Sequence, residues 1–260
     1  MMRALNTAAS GMAAQQTSVD VIAHNLANVN TTGFRKQRAE FEDLIYQTIR
    51  TPGGTTGEGQ KLPTGIQIGE GVRLVSTTQM HMQGSLLQTG SSLDLAIEGD
   101  GFFQVQRPGG EIAYTRAGNF RVDAEGRLVT VDGFEVEPAI TIPQNSTSVS
   151  ISPNGTVSVT TPGQNASQDV GQLTIAGFVN PAGLLAVGRT MFTPTDASGE
   201  AIVGQPGTEG LGTLASGFLE GSNVEVVNEM IDLIASQRAY EVNQRVITAA
   251  DEMLRRVTDR

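Results

Sequence analysis

The chain contains no cysteine and no tryptophan, and only three tyrosines and two histidines. Without cysteine there are no disulfides, no thiolate nucleophile and no Cys-based metal site. His24 and His81 are far apart in sequence and outside any His-Glu-x-x-His pattern, so the zinc-protease arrangement is excluded. Basic residues are the minority, 17 against 27 acidic, for a formal net charge of −10. That balance excludes a sequence-independent nucleic-acid binder, which needs basic surface to displace counterions. It also excludes docking on anionic lipid. No apolar run approaches the roughly 18–20 residues of a membrane span. Arg3 is not followed by a continuous apolar segment either, so neither membrane insertion nor a cleaved signal peptide is expected.

Catalytic motifs are equally scarce. There is no Gly-x-Ser-x-Gly elbow and no Gly-Lys phosphate loop. Gly210-Leu211-Gly212 matches a dinucleotide fingerprint only loosely, because Gly217 and Gly221 follow where its helix should run. Asp94, Glu98 and Asp100 offer a carboxylate pair in principle. In an acidic, turn-rich segment they read better as turn formers or solvated strand residues. His24 reads as a packing or capping residue of its helix. No catalytic, cofactor-binding or metal-ligating residue is therefore expected, no cofactor is expected, and the chain is not expected to be an enzyme.

What is present lies first at the two ends. Leu5, Met12, Val19 and Leu26 recur every seven residues, with Ala9, Gln16 and Ala23 between them at three-and-four spacing. That is the period of helices that supercoil around neighbours. The helix is expected over about residues 4–29, and Asn28, Asn30, Gly33 and Phe34 form the joint after it. Gly11 inside it marks either tolerance or a close approach by another helix. Arg3 and Asp20 are the only charges over residues 3–34. A free surface helix normally carries charges on its outer faces, so this one reads as built to touch protein on several sides. At the other end, Ser222 and Glu225 form a capping-box pattern. Val227, Ile231 and Ile234, then Val242, Val246 and Met253, continue as apolar stripes of a helix roughly 50 Å long. Arg255 and Arg256 near its end complement the helix dipole.

Between the ends the texture is strand and turn, in keeping with 31 glycines in 260 residues. Arg35, Lys36 and Arg38 form a small basic cluster. The following stretch carries Pro52, Pro63 and many glycines, and reads as a long loop or hairpin. Asp132-Gly133 and Asn154-Gly155 sit between alternating segments and predict tight hairpins. Leu173–Val179 reads as the strongest single strand. The fold class expected is α+β: long N- and C-terminal helices pairing as a coiled coil, a central antiparallel β-rich domain, and an extended Gly/Pro-rich loop. The expected division is 1–34 for the first helix, 35–71 for a linker arm and loop, 72–215 for the β domain and 216–260 for the last helix. Ordering two such helices costs more conformational entropy than their mutual apolar contact returns, so the pair is expected to need neighbouring subunits.

Three stretches carry a resemblance that spans essentially the whole chain. They are Ala8-Ala9-Ser10-Gly11-Met12 with His24-Asn25-Leu26-Ala27-Asn28, then Asp94–Phe103 with Tyr114–Phe120, and finally Gln237-Arg238-Ala239-Tyr240-Glu241-Val242-Asn243. Together they resemble the bacterial flagellar rod and hook protein family. Within that family, the length and the segment 46–71 are most similar to the distal rod member. A proximal rod or hook-type member is the alternative, and a β-domain glycan binder or hydrolase on a helical stalk a remoter one. The resemblance implies an axial structural subunit of the flagellar basal body, exported by the type III apparatus and polymerising helically into a rigid hollow rod across the periplasm. It implies contacts with copies of itself, other rod proteins, the hook protein, the P and L ring proteins and the rod cap. The helical termini would then form the assembly interface, through Leu5, Met12, Val19, Leu26, Val227, Ile231, Ile234, Val242, Val246 and Met253. Ile49, Pro52, Leu62, Pro63 and Ile66 form a candidate stiffening loop.

Overall fold

The heptad-bearing ends fold into two helices, α1 over Met2–Ala27 and α2 over Val226–Thr258. The computed structural model describes residues 2–53, 63–162, 167–208 and 210–258. Helix α1 ends at Ala27, where the Asn28 carbonyl accepts the Thr31 N–H at 3.1 Å in a turn. Helix α2 begins later than the Ser222/Glu225 pattern predicts. The Ser222 hydroxyl accepts the Val224 N–H at 3.3 Å and closes a local serine turn. The Glu225 carbonyl takes the first intrahelical bond, from the Glu229 N–H at 3.0 Å, so Glu225 occupies the cap position.

The chain divides into two units, Met1–Ala27 with Gln37–Gln79 and Glu225–Arg260, and Asn28–Lys36 with Met80–Val224. The first holds α1, α2 and four strands: β1 (Gln37–Asp43), β2 (Tyr46–Arg50), β3 (Ile66–Gly69) and β4 (Val72–Gln79). Strands β1 and β4 pair antiparallel from Gln37/Gln79 to Asp43/Val72, with a bulge between Glu40 and Phe41. This cut differs from the expected one at 71/72. The β4 backbone is satisfied by β1, and the Val72 N–H is held by the Ser10 hydroxyl of α1 at 3.3 Å. Strands β2 and β3 pair as a two-stranded ribbon, and every residue of β2 is exposed. Ile49 and Ile66 are exposed on it, and Pro63 is exposed beyond its end. Leu62 and Gly54, Gly57 and Gly59 lie outside the described residues.

The second unit is β throughout its described length, apart from one short 3-10 turn at Pro181–Gly183. Its strands run β5 (Leu86–Gln88), β6 (Leu95–Glu98), β7 (Phe102–Gln106), β8 (Ile112–Thr115), β9 (Arg121–Val122), β10 (Leu128–Val129), β11 (Glu135–Glu137), β12 (Ser148–Ile151), β13 (Thr156–Thr160) and β14 (Gln168–Gln172). They continue as β15 (Ile175–Gly177), β16 (Leu185–Gly188), β17 (Met191–Thr193), β18 (Ile202–Gly204), β19 (Thr213–Ser216) and β20 (Phe218–Glu220). The main sheet runs β16-β17-β8-β7-β11-β10-β9, with β15 joining β7 to β18. Strand β7 is its hub. One edge pairs with β8, and the other is shared by β15 at Phe102–Phe103 and β11 at Gln104–Gln106.

Alternation along β7 builds two cores, because successive side chains leave opposite faces of a strand. Phe103 and Val105 join Leu95, Ile97, Phe120 and Leu173 in the larger one, where the Phe103 and Phe120 rings meet edge to face at 5.0 Å. Phe102 faces the other way, onto Tyr114, Phe178 and Phe192. Both expected hairpins are present, β10/β11 about Gly133 and β12/β13 about Gly155, each glycine at positive φ. The expected long strand at 173–179 shrinks to Ile175–Gly177. The Leu173 N–H is spent on the Gly155 carbonyl at 2.8 Å, and so leaves the ladder. At Gly118 a Cβ would stand 1.7 Å from the Leu95 carbonyl oxygen, whose own N–H is bonded to the Gly118 carbonyl at 2.9 Å; only glycine allows the two chains so close.

Candidate functional site

The two helices contact each other through small and polar residues. At Gly11 an added Cβ would lie 3.0 Å from the Asn243 side-chain amide. Seven residues on, the Ser18 hydroxyl is 3.3 Å from that of Ser236. Seven further, the Asn25 amide donates to the Glu229 carboxylate at 3.1 Å. Each step of seven along α1 is thus met by a step of seven back along α2, an antiparallel register with three rungs. Asn25 is also fixed from the β1 side. It donates to the Gln37 carbonyl at 2.8 Å and accepts the Gln37 N–H at 2.9 Å. Asn25, Glu229 and Ser236 are all buried. Gly11 therefore does admit the other helix, through a side chain rather than the backbone.

The large apolar residues take different positions from those expected. Ala8, Ala14, Ile22 and Asn25 are the buried residues of α1. Leu5, Met12, Val19 and Leu26 are only half-buried. Val19 lines an open groove of about 380 Å³ with Gln16, Gln237, Tyr240 and Glu241. On α2, Val227, Ile231, Ile234, Val242, Val246 and Met253 are 43–64% exposed. The expected pairing of the two apolar stripes within one chain is corrected here. Small side chains let helices approach closely, so the rungs occupy the contact and the bulky stripe of α2 is turned outward. The heptad period was legible, and on α1 the apolar row lies half-buried with Val19 beside α2, whereas on α2 the apolar row is exposed. The signal for the polar rungs was Ser18, Asn25, Ser236 and Asn243 recurring at seven.

In the β unit the residues after α1 are held by one acid. The Glu220 carboxylate, fully buried, accepts Arg35 Nη2 at 2.7 Å and the Gly84 N–H at 2.9 Å. Its second oxygen lies 3.0 Å from Arg116 Nε, and its backbone carbonyl accepts the Gly33 N–H at 2.8 Å. Gly33 sits at φ +68°, and a Cβ there would fall 2.6 Å from the Ala117 nitrogen. Of the four joint residues, Gly33 and Phe34 are buried, Asn28 closes the turn with Thr31, and Asn30 is exposed. Sequence reasoning saw Arg35 only as part of a basic cluster and missed Glu220. Of the candidate carboxylates, Asp94 is buried 3.7 Å from Arg121 rather than solvated, while Glu98 and Asp100 are exposed.

His81 packs edge-on against Phe102 and Phe192, at 5.7 and 5.8 Å. Burial, then the nearby Arg35 and Arg116 charges, pull its pKa from 6.5 to about 4.

The comparisons with known proteins fit this division of labour. Residues 5–35 match the family profile "Flagella basal body rod protein". Residues 96–159 match "Flagellar hook protein FlgE/F/G D1 domain", and residues 215–260 match "Flagellar basal body rod FlgEFG protein C-terminal". Helices at the ends and a β unit between thus define the class of flagellar rod and hook proteins. The flagellar basal-body rod protein FlgG of Caulobacter vibrioides is 51% identical over 97% of both chains. That of Borreliella burgdorferi is 49% identical over 98% of this chain and 97% of its own. A hook protein FlgE from Helicobacter mustelae matches at 45%, but over only 53% of this chain and 30% of its own. The chain belongs to the FlgG family of flagellar basal-body rod proteins.

Two expected outcomes follow from the geometry. Replacing Asn25 by Ala removes the amide that bridges Glu229 and the Gln37 backbone, and destabilises the helix pair by about 1–3 kcal/mol; helical circular dichroism under urea measures it. For His81 the folded pKa lies below the unfolded one, so the unfolded chain binds the extra proton. Its contribution is present above pH 6.5 and is lost as the pH falls towards about 4. Melting curves of the wild type and of His81→Gln should converge over that window, because carboxylate effects are common to both.

Proposed function

We propose that the chain is a structural axial subunit of the distal rod of the flagellar basal body, polymerising helically into a rigid hollow shaft that carries torque to the hook. The observation that carries this reading is the outward apolar stripe Val227, Ile231, Ile234, Val242, Val246 and Met253. A stripe so long and apolar on a helix already paired on another side is suited to further protein. In this reading α1 and α2 supercoil with those of neighbouring subunits, as a coiled-coil inner tube. The half-buried Leu5, Met12, Val19 and Leu26 then complete their burial between chains. Contacts between copies in such an array are heterologous, so growth is open-ended. The β unit forms the outer wall, facing the P and L rings. The rod cap, the type III export apparatus, other rod proteins and the hook protein are the remaining partners, and export proceeds without signal cleavage. Asn28, Asn30, Gly33 and Phe34 act as the joint.

Full-length relatives named as rod proteins, against a hook protein matched over half the chain, favour the rod over a hook-type subunit. The ribbon β2/β3, with Ile49 and Ile66 exposed, is too small to be stable alone. We assign it, with Pro52, Leu62 and Pro63, to locking neighbouring subunits and stiffening the shaft.

Ile231→Asp is expected to leave the melting of the dilute chain within about 0.5 kcal/mol of wild type and to abolish polymers seen by electron microscopy. Polymers of normal length and yield would reject the stripe as an interface. Deleting residues 52–63 should leave assembly intact but give a bent or flexible rod, whereas a straight, stiff rod would remove the stiffening role.

A further inference from the structure

Residues 211–221 follow, in chain order, every strand they pair with, and they tie the β unit together. Among the described residues, β19 is the only strand paired with β6, from Thr213/Glu98 to Ser216/Leu95, and β20 the only one paired with β5. Backbone bonds reach further. The Gly212 N–H donates to the Asp100 carbonyl at 2.7 Å, Leu214 to Pro153 at 3.0 Å, and Gly217 to Asp94 and Gly221 to Ser85 at 2.8 Å each. Leu214 joins Leu95, Ile97 and Phe103 in the larger core, with Leu211 packed against it. Near the end of the segment, Glu220 is the buried carboxylate met by both Arg35 and Arg116, whose side chains are 1% and 3% exposed. Arg35 lies 185 residues before it.

The main sheet β16-β17-β8-β7-β11-β10-β9 contains neither β19 nor β20, so on pairing alone it could form first. What it cannot do first is close its core. Without residues 211–221, β6 keeps its apolar Leu95 and Ile97 but loses its ladder, and two buried guanidiniums lose their carboxylate. An uncompensated buried charge costs several times what one hydrogen bond contributes. Contacts over so long a separation also spend loop entropy before any reward arrives. We infer that residues 211–221 are a clasp: the β unit has no stable form from which they are detached, so it stays unfolded until they are present. During synthesis, which releases the N-terminal part first, the unit therefore remains open. A chain threaded through a channel from its N-terminal end would likewise fold only after the clasp had passed. That consequence rests on the export reading above; the clasp itself does not.

Native-state hydrogen exchange of the dilute full-length chain, read by peptide mass spectrometry over a urea series below the unfolding transition, tests the clasp. Backbone amides of 213–220 are compared with those of 102–106 and 112–115 in the main sheet. Protection equal to within about fivefold, with one common urea dependence, is expected, because the clasp opens only when the whole unit does. Glu220→Gln, which removes the charge at nearly constant shape, should lower the protection of all three sets by the same factor. If that variant does not fold, Leu214→Ala takes its place. Protection of 213–220 more than about fivefold below that of 102–106, with a weaker urea dependence, would show local opening and overturn the clasp. So would a variant that loosens 213–220 alone. Neither result bears on the rod reading, which is tested by the polymers of Ile231→Asp.

Discussion

The ends of this chain depend on a seven-residue polar register. Gly11 against Asn243, Ser18 against Ser236 and Asn25 against Glu229 leave one alignment of α1 on α2 in which every buried polar group meets its partner. An apolar seam tolerates a slip of one heptad at modest cost. A polar one does not, because a slip strands a carboxylate and an amide in the contact. Buried polar residues in helix seams are well attested as devices that fix register at some expense of stability. The small side chains have a second effect. They let the pair close while Val227, Ile231, Ile234, Val242, Val246 and Met253 stay exposed on α2.

The β unit has its own organising group in Glu220. Its carboxylate and carbonyl together receive Arg35, Gly84 and Gly33 and approach Arg116. Removing one partner of such a buried cluster is far more damaging than its net contribution suggests, since it leaves a charge without compensation. The residues that follow α1 are thereby folded into the β unit although they lie about 50 positions before most of it. The backbone has little freedom at Gly33, where only a residue tolerating positive φ and lacking a Cβ fits beside Ala117.

Local chemistry in the sequence announced local structure well. Asp132-Gly133 and Asn154-Gly155 predict hairpins because glycine reaches positive φ without strain, and both are present. The two terminal helices follow from period alone. What period alone did not reveal was the polar row between those helices, or the exposure of the α2 stripe. Leu5, Met12, Val19 and Leu26 and the row Gly11, Ser18 and Asn25 share one period and differ only in phase. The second row forms the polar rungs, and the first lies half-buried, with Val19 in the groove beside Gln237 and Tyr240. Ser18 and Ser236 stand 218 residues apart, so nothing near either one in sequence betrays the pairing. Glu220, Arg35 and Arg116 were hidden for the same reason. Each is an ordinary charged residue until the fold brings the three into one buried cluster. Leu173–Val179 misled in the opposite direction, since its apolar run reflects burial of Leu173 and Ile175 in the core rather than a long ladder.

The absence of cysteine makes the register directly measurable. Ser18→Cys with Ser236→Cys places two thiols where hydroxyl oxygens now stand 3.3 Å apart, a gap that small side-chain rotations close to the roughly 2.05 Å of an S–S bond. Ser18→Cys with Asn243→Cys is one heptad, about 10 Å, out of step. Mild oxidation of the dilute full-length double variants, read by non-reducing electrophoresis and peptide mapping, should give rapid intramolecular closure of 18 with 236 and little of 18 with 243. Equal closure of both pairs, or faster closure of 18 with 243, would contradict the polar register and the account built on it.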